Sequence, residues 1–171
     1  SSGAAPEVMA ALLRANDGFE RSYGADAAMG RVTALVREAF EAPEAAVYLV
    51  ATGTAANALA LASHCPPWGA VFCHEFAHIA EDECGAPEFY SGAKLILVPG
   101  AAGKMTPETL AGPLGRAGSG GVHGVQPGML SLSTVTEAGT VYSPAEIAAL
   151  TAMAKARGLP CHLDGARFAN A

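Results

Sequence analysis

The 171-residue sequence has no strongly basic stretch, no C-x-x-C pair and no apolar run near membrane-spanning length. A membrane helix needs roughly 20 consecutive apolar residues, so no such span is expected. The net charge of −6 argues against a DNA or RNA partner, whose phosphate backbone demands clustered cations. It leaves room for one small anionic ligand, which needs only a few aimed donors. The opening Ser1-Ser2-Gly3 shows no basic region followed by an apolar stretch, hence no visible signal peptide. The four cysteines, Cys65, Cys73, Cys84 and Cys161, are scattered in a chain large enough not to need disulfides. They read as reduced thiols of a cytoplasmic protein, with Cys73 and Cys84 as core fillers. Lysine is scarce: Lys94, Lys104 and Lys155 are the three.

What is present is a 51% apolar composition and a length suited to one domain with a sizeable core. No linker or internal repeat divides it. Pro6 to Asn16 predicts a helix with Met9, Leu12 and Leu13 on one stripe, and Val32, Leu35, Val36 and Phe40 mark a second. The apolar run Ala46 to Ala51 predicts a buried strand, followed by a helix over Ala55 to Ser63. Further strands are expected at Ala70 to Cys73, Leu95 to Val98, Met129 to Ser133 and Pro160 to Asp164. Thr106 caps a helix before Pro107, and Leu114 to Gln126 reads as loop. Ser143-Pro144-Ala145-Glu146 is a capping box, with Ile147, Leu150 and Ala154 as the buried stripe behind it. Strands alternating with helices predict an α/β fold, a mainly parallel sheet with helices on both faces.

In such sheets ligands bind at the carboxyl ends of strands. Two segments fit. In Ala51-Thr52-Gly53-Thr54-Ala55-Ala56-Asn57, Gly53 admits close backbone approach. The amides of Gly53, Thr54 and Ala55, with the Thr54 hydroxyl, could meet a phosphate at a helix N-terminus. Taken alone, the same pattern describes a capped helix after a strand. In Asp164-Gly165-Ala166-Arg167, a carboxylate ends a strand where it could face a cationic ring nitrogen; the same spacing describes a surface Asp–Arg pair.

These segments, with Ala77-His78-Ile79 and Glu137-Ala138-Gly139-Thr140-Val141-Tyr142, occur in the order that resembles the threonine aldolase and β-eliminating lyase family. Pro6-Glu7-Val8-Met9 and Tyr23-Gly24-Ala25-Asp26 are similar to its N-terminal segments. The family comprises enzymes dependent on pyridoxal 5′-phosphate (PLP). The resemblance implies the large, cofactor-binding domain of such an enzyme, partial over residues 1–171. Residues 1–18 would pack on that domain or on a partner subunit. It also implies retro-aldol cleavage of L-threonine, L-allo-threonine or a similar β-hydroxy amino acid to glycine and an aldehyde. Gly53, Thr54 and Ala55 would hold the cofactor phosphate. His78 would stack on the ring, and Asp164 would keep the ring nitrogen protonated. Arg167 would hold the substrate carboxylate or the ring oxygen, and Glu83 matches a family active-site position. Homodimers or homotetramers are implied, and exposed apolar surface with them.

Two departures stand out. Some branches have a histidine where this chain has Glu137. The family's cofactor-linking lysine is expected some tens of residues beyond the Asp-Gly-Ala-Arg segment, past Ala171, so the chain reads as part of something longer, inactive alone or a non-catalytic fragment. The rival reading is a zinc peptidase, because His74-Glu75-Phe76-Ala77-His78 matches H-E-x-x-H. Its position directly after a strand speaks against it, and no metal is expected. Gly100 to Met105 lacks the spacing of a nucleotide-binding loop, and Gly118 to Gly124 follows no strand. His64 reads as a helix end, His123 as loop and His162 as a strand partner.

Overall fold

The structure, a computed structural model, describes residues 3–170. The chain divides into two compact units, Ser1–Leu49 and Val50–Ala171.

The first unit holds helices α1 (Pro6–Ala15) and α2 (Ala27–Ala39). Pro6 opens α1, where its missing N–H costs nothing. Asp26 caps α2 by accepting from the Met29 amide at 2.8 Å. None of the residues of α1 or α2 is buried, and Val8, Met9, Leu12 and Leu13 of α1 are all exposed. The strand expected over 46–51 does not form: residues 45–50 have neither helix nor strand, and Tyr48 and Leu49 are 84% and 71% exposed. Apolar composition favours burial, but a strand also needs a hydrogen-bonding neighbour, and no ladder includes this segment among the described residues.

The second unit is a four-stranded, wholly parallel sheet of β1 (Gly69–His74), β2 (Lys94–Val98), β3 (Gln126–Ser133) and β4 (Cys161–Asp164), in the order β2-β1-β3-β4. β1 is buried along its whole length, as a central parallel strand must be. Its side chains alternate between two cores. Phe72 faces Leu110 and Leu114 of α6 (Pro107–Arg116) and Leu150 and Ala154 of α7 (Pro144–Lys155). Val71 and Cys73 face Leu61 of α3 (Gly53–His64), together with Ile79 of α4 (His78–Glu81). Each fully buried side chain of this size contributes ~1.5–3 kcal/mol of transfer free energy. Gly128 lets β3 close on β1, since a Cβ there would lie 2.5 Å from Cys65 Sγ and 2.9 Å from the Ala70 carbonyl oxygen.

Both expected N-caps form. Thr106 and Thr109 cap α6 reciprocally, and Ser143 and Glu146 cap α7, with the Ser143 amide donating to Glu146 Oε2 at 2.7 Å. Between β1 and β2 the chain makes two short helices that the sequence pattern did not predict, α4 and α5 (Ala86–Ser91). Cys73 is a core filler, its thiol pushed up to about 12 by burial and then by the Glu88 charge. Cys84 is not: it is exposed in the turn between these helices, with φ +51°, so its backbone rather than its side chain fills a structural need. Among the described residues no helix is long and apolar enough to cross a membrane.

Candidate active site

Because β1 and β4 run parallel, their last residues, His74 and Asp164, lie at the same carboxyl edge of the sheet. Helix α3 starts at this edge. Thr52 caps it, its hydroxyl accepting from the Ala55 amide at 3.1 Å while its carbonyl accepts from Ala56. The Ala55 amide is therefore committed to the helix cap. The amides of Gly53 and Thr54, the first two of the helix, remain the donors directed out of it. A Cβ built on Gly53 meets no atom within 4 Å, so nothing in the protein itself requires a glycine there.

One turn further, Asn57 is buried, and its side-chain nitrogen donates twice: to Glu83 Oε1 at 2.7 Å and to Asp164 Oδ2 at 3.1 Å. Asp164 Oδ1 accepts from the Ala166 amide at 3.0 Å, which fixes the carboxylate at both oxygens. The Glu83 side chain is completely buried. Its Oε1 also faces His78 Nδ1 at 2.9 Å, and its Oε2 has no partner. The bond to Glu83 raises the His78 pKa, opposed by partial desolvation and reinforced by the charges of Glu83, Glu137 and Asp164. Arg167 does not pair with Asp164. It grips Glu137 with its two terminal guanidinium nitrogens, at 2.7 and 3.1 Å, and this carboxylate is the main cause of its raised pKa.

These side chains enclose one cleft of about 400 Å³, lined by Gly53, Thr54, Asn57, His78, Glu83, Asp164, Ala166 and Arg167. The expected site residues thus converge, apart from Ala55. Asn57 was not singled out by the sequence, although its position three residues after Thr54 places both on one helix face. His162, two residues before Asp164 on β4, bonds Ser131 at 2.9 Å, and burial lowers its pKa. Among the described residues no lysine lines the cleft.

The H-E-x-x-H segment does not build a metal site. His74 ends β1, and His78 begins α4 after a turn, so the two are not on one helix. His74 Nδ1 accepts from the Phe76 amide and Nε2 faces the Gly100 carbonyl at 3.0 Å, so both ring nitrogens are used by the backbone. His78 is turned to Glu83 instead.

A parallel α/β sheet with a helix N-terminus, an imidazole and a fixed carboxylate around one carboxyl-edge cleft is an arrangement chemically suited to a small anionic ligand. The family model described as beta-eliminating lyase matches residues 1–171, and the chain belongs to that family. It is 44% identical to the low specificity L-threonine aldolase of Pseudomonas aeruginosa, over 99% of this chain and 49% of that protein. Identity to the low specificity L-threonine aldolase of Pseudomonas sp. is 42%, with the same coverage. The solved threonine aldolase of Leishmania major superposes with a TM-score of 0.93 at 32% identity, covering 99% of this chain and 48% of that one. The chain spans about half the length of the curated relatives it matches.

Proposed function

We propose that the whole protein is a PLP-dependent aldehyde-lyase that cleaves L-threonine, L-allo-threonine or a similar β-hydroxy amino acid to glycine and an aldehyde. The observation that carries this reading is the convergence of the Gly53 and Thr54 amides, His78 and the doubly held Asp164 carboxylate on one cleft. The donor set fits the cofactor. The helix N-terminus suits a phosphate, and the bare Gly53 leaves space for it. His78 offers a flat ring, and Asp164 a carboxylate for a pyridinium nitrogen. When bound, PLP supplies the electron sink for the pair released as the substrate's Cα–Cβ bond breaks.

The protein's own residues do the rest. Asp164, fixed by Asn57 and Ala166, holds the proton on the ring nitrogen, since a nearby anion raises that nitrogen's pKa. His78, tethered through Nδ1 to Glu83, presents its ring face and leaves Nε2 to exchange a proton in the cleft. Arg167 spends two of its five N–H donors on Glu137 and keeps others for a substrate carboxylate. Glu137, through that grip, sets where the guanidinium sits. In this reading the chain is part of the cofactor-binding domain. The lysine that anchors the cofactor belongs to the further length that the relatives have, because Lys94, Lys104 and Lys155 do not line the cleft and Lys104 is paired with Glu146. The whole protein assembles as a homodimer or homotetramer, consistent with the exposed apolar stripe of α1.

The test is turnover by the full-length protein with added PLP. Aldehyde release from L-threonine and L-allo-threonine is followed by coupled NADH oxidation. Asp164→Ala should remove most of kcat/KM, and His78→Phe should preserve more, because a phenyl ring still stacks. Full activity in the Asp164 variant would remove the proposed role.

A further inference from the structure

The Asn57 side chain hydrogen-bonds two carboxylates of the cleft, the buried Glu83 and the half-buried Asp164. Glu83 is 26 positions away in sequence and Asp164 is 107, so one amide joins three separate elements: α3, the turn after α4, and the end of β4. A primary amide carries two N–H donors on one planar nitrogen, at a fixed angle to each other. Both are used here. A hydroxyl would offer one donor and a carboxylate none. Asparagine is also a poor residue for a helix interior, where its side chain competes with the backbone. Its presence in the second turn of α3 is explained by these two hydrogen bonds, not by helix formation.

We infer that Asn57 is a positioning residue, whose two N–H groups aim the Asp164 carboxylate into the cleft and hold Glu83 against His78. Without it, Asp164 keeps only the Ala166 amide, which leaves rotation about its own side chain unopposed. Glu83 would keep only His78, with Oε2 already unpartnered in a fully buried side chain. The two cleft groups with the most chemistry, His78 on α4 and Asp164 on β4, are thereby coupled through Glu83 and Asn57 although they make no direct bond. The charged groups facing His78 are Glu83, Glu137 and Asp164. Substitution of Asn57 alters how two of those three are held.

What Asp164 is aimed at rests on the proposed function; the coupling of Asn57 to His78 does not, so the experiment reads both. Full-length Asn57→Ala and Asn57→Asp are compared with the unaltered protein. The His78 imidazole is titrated by NMR without cofactor, and PLP affinity is measured by fluorescence quenching. Asn57→Asp keeps size and shape, and carries the test should the alanine variant fail to fold. The His78 midpoint should move down in Asn57→Ala, because Glu83 is no longer held against the imidazole, and up in Asn57→Asp, because a negative charge replaces the donor beside it. PLP affinity should fall on the order of tenfold or more, the cost of leaving a buried partner unsatisfied. A folded Asn57→Ala protein with an unaltered or raised His78 midpoint overturns the inference, as does a folded Asn57→Asp protein with the unaltered midpoint, whatever the PLP affinity. An unaltered protein that binds no PLP overturns the proposed function and the aim assigned to Asp164. A lowered His78 midpoint in Asn57→Ala in that case still supports the hold on Glu83.

Discussion

Replacing Glu83 separates shape from charge at the centre of the cleft. Its Oε1 accepts from Asn57 Nδ2 at 2.7 Å and faces His78 Nδ1 at 2.9 Å, and no part of the side chain reaches solvent. The buried bond from Asn57 to a carboxylate is worth ~1.5–3 kcal/mol. The His78 bond is worth less, under about 1 kcal/mol, because a third of that imidazole is exposed and solvent screens it. Glu83→Ala also strands one N–H of Asn57 and leaves a void, so the full loss is ~3–5 kcal/mol. Glu83→Gln keeps an oxygen at the shared position and puts an amide where Oε2 has no partner, so its cost is about 1 kcal/mol. The pH dependence has a definite sign. The His78 pKa is raised in the fold, so the stability of the His78–Glu83 pair is fully present below the ordinary imidazole value of 6.5 and is lost as pH rises through the raised one. The Gln variant should therefore differ from the unaltered protein more at pH 6 than at pH 9. Urea denaturation of the full-length protein at both pH values reads all of this. An alanine variant within about 1 kcal/mol of the unaltered protein would refute the reasoning, since a buried residue with two such bonds cannot be removed so cheaply.

Three further outcomes follow from other parts of the fold. His74→Ala should lower stability by ~2–3 kcal/mol, through two lost bonds to backbone groups, and leave the zinc content of the purified protein unchanged. One zinc per chain, lost in that variant, would reinstate the peptidase reading. Gly100→Ala should cost ~3 kcal/mol or more in chemical denaturation, because the new Cβ would lie 1.8 Å from the Lys104 carbonyl oxygen and the backbone itself must move. Ser143→Ala should cost ~1 kcal/mol, as N-caps do. The partner of that cap, Glu146, is held at about 2 by Lys104 first and then by Ser143, so its contribution is fully present above the ordinary carboxylate value of 4.5 and is lost progressively as pH falls from there through about 2. Amide exchange in α7 on acidification follows it.

The parts of the fold legible in the sequence are those fixed by local chemistry. The Ser143–Glu146 box, the Thr106 cap and the apolar runs at β1, β2 and β3 each carry their own signal, and the structure forms all of them. The segment over 46–51 has the same apolar signal yet forms no strand, because pairing depends on a neighbour that composition does not specify. Helices α4 and α5, of four and six residues, are too short for periodicity to show. Gly53, His78 and Asp164 were found through ordered motifs, each next to the end of an element. Asn57 carries no comparable signal, since its role exists only once Glu83 and Asp164 have folded against it. Arg167 was placed in the cleft by its motif, but its partner Glu137, 30 positions away, follows from tertiary structure alone.

The central claim is that the cleft at the start of α3 receives PLP. The measurement that tests it most directly is a crystal structure of the full-length protein with PLP bound. The phosphate is expected on the Gly53 and Thr54 amides, the ring against His78 and its nitrogen within hydrogen-bond distance of Asp164. A cofactor bound elsewhere, or a pyridine nitrogen with no contact to Asp164, would contradict it.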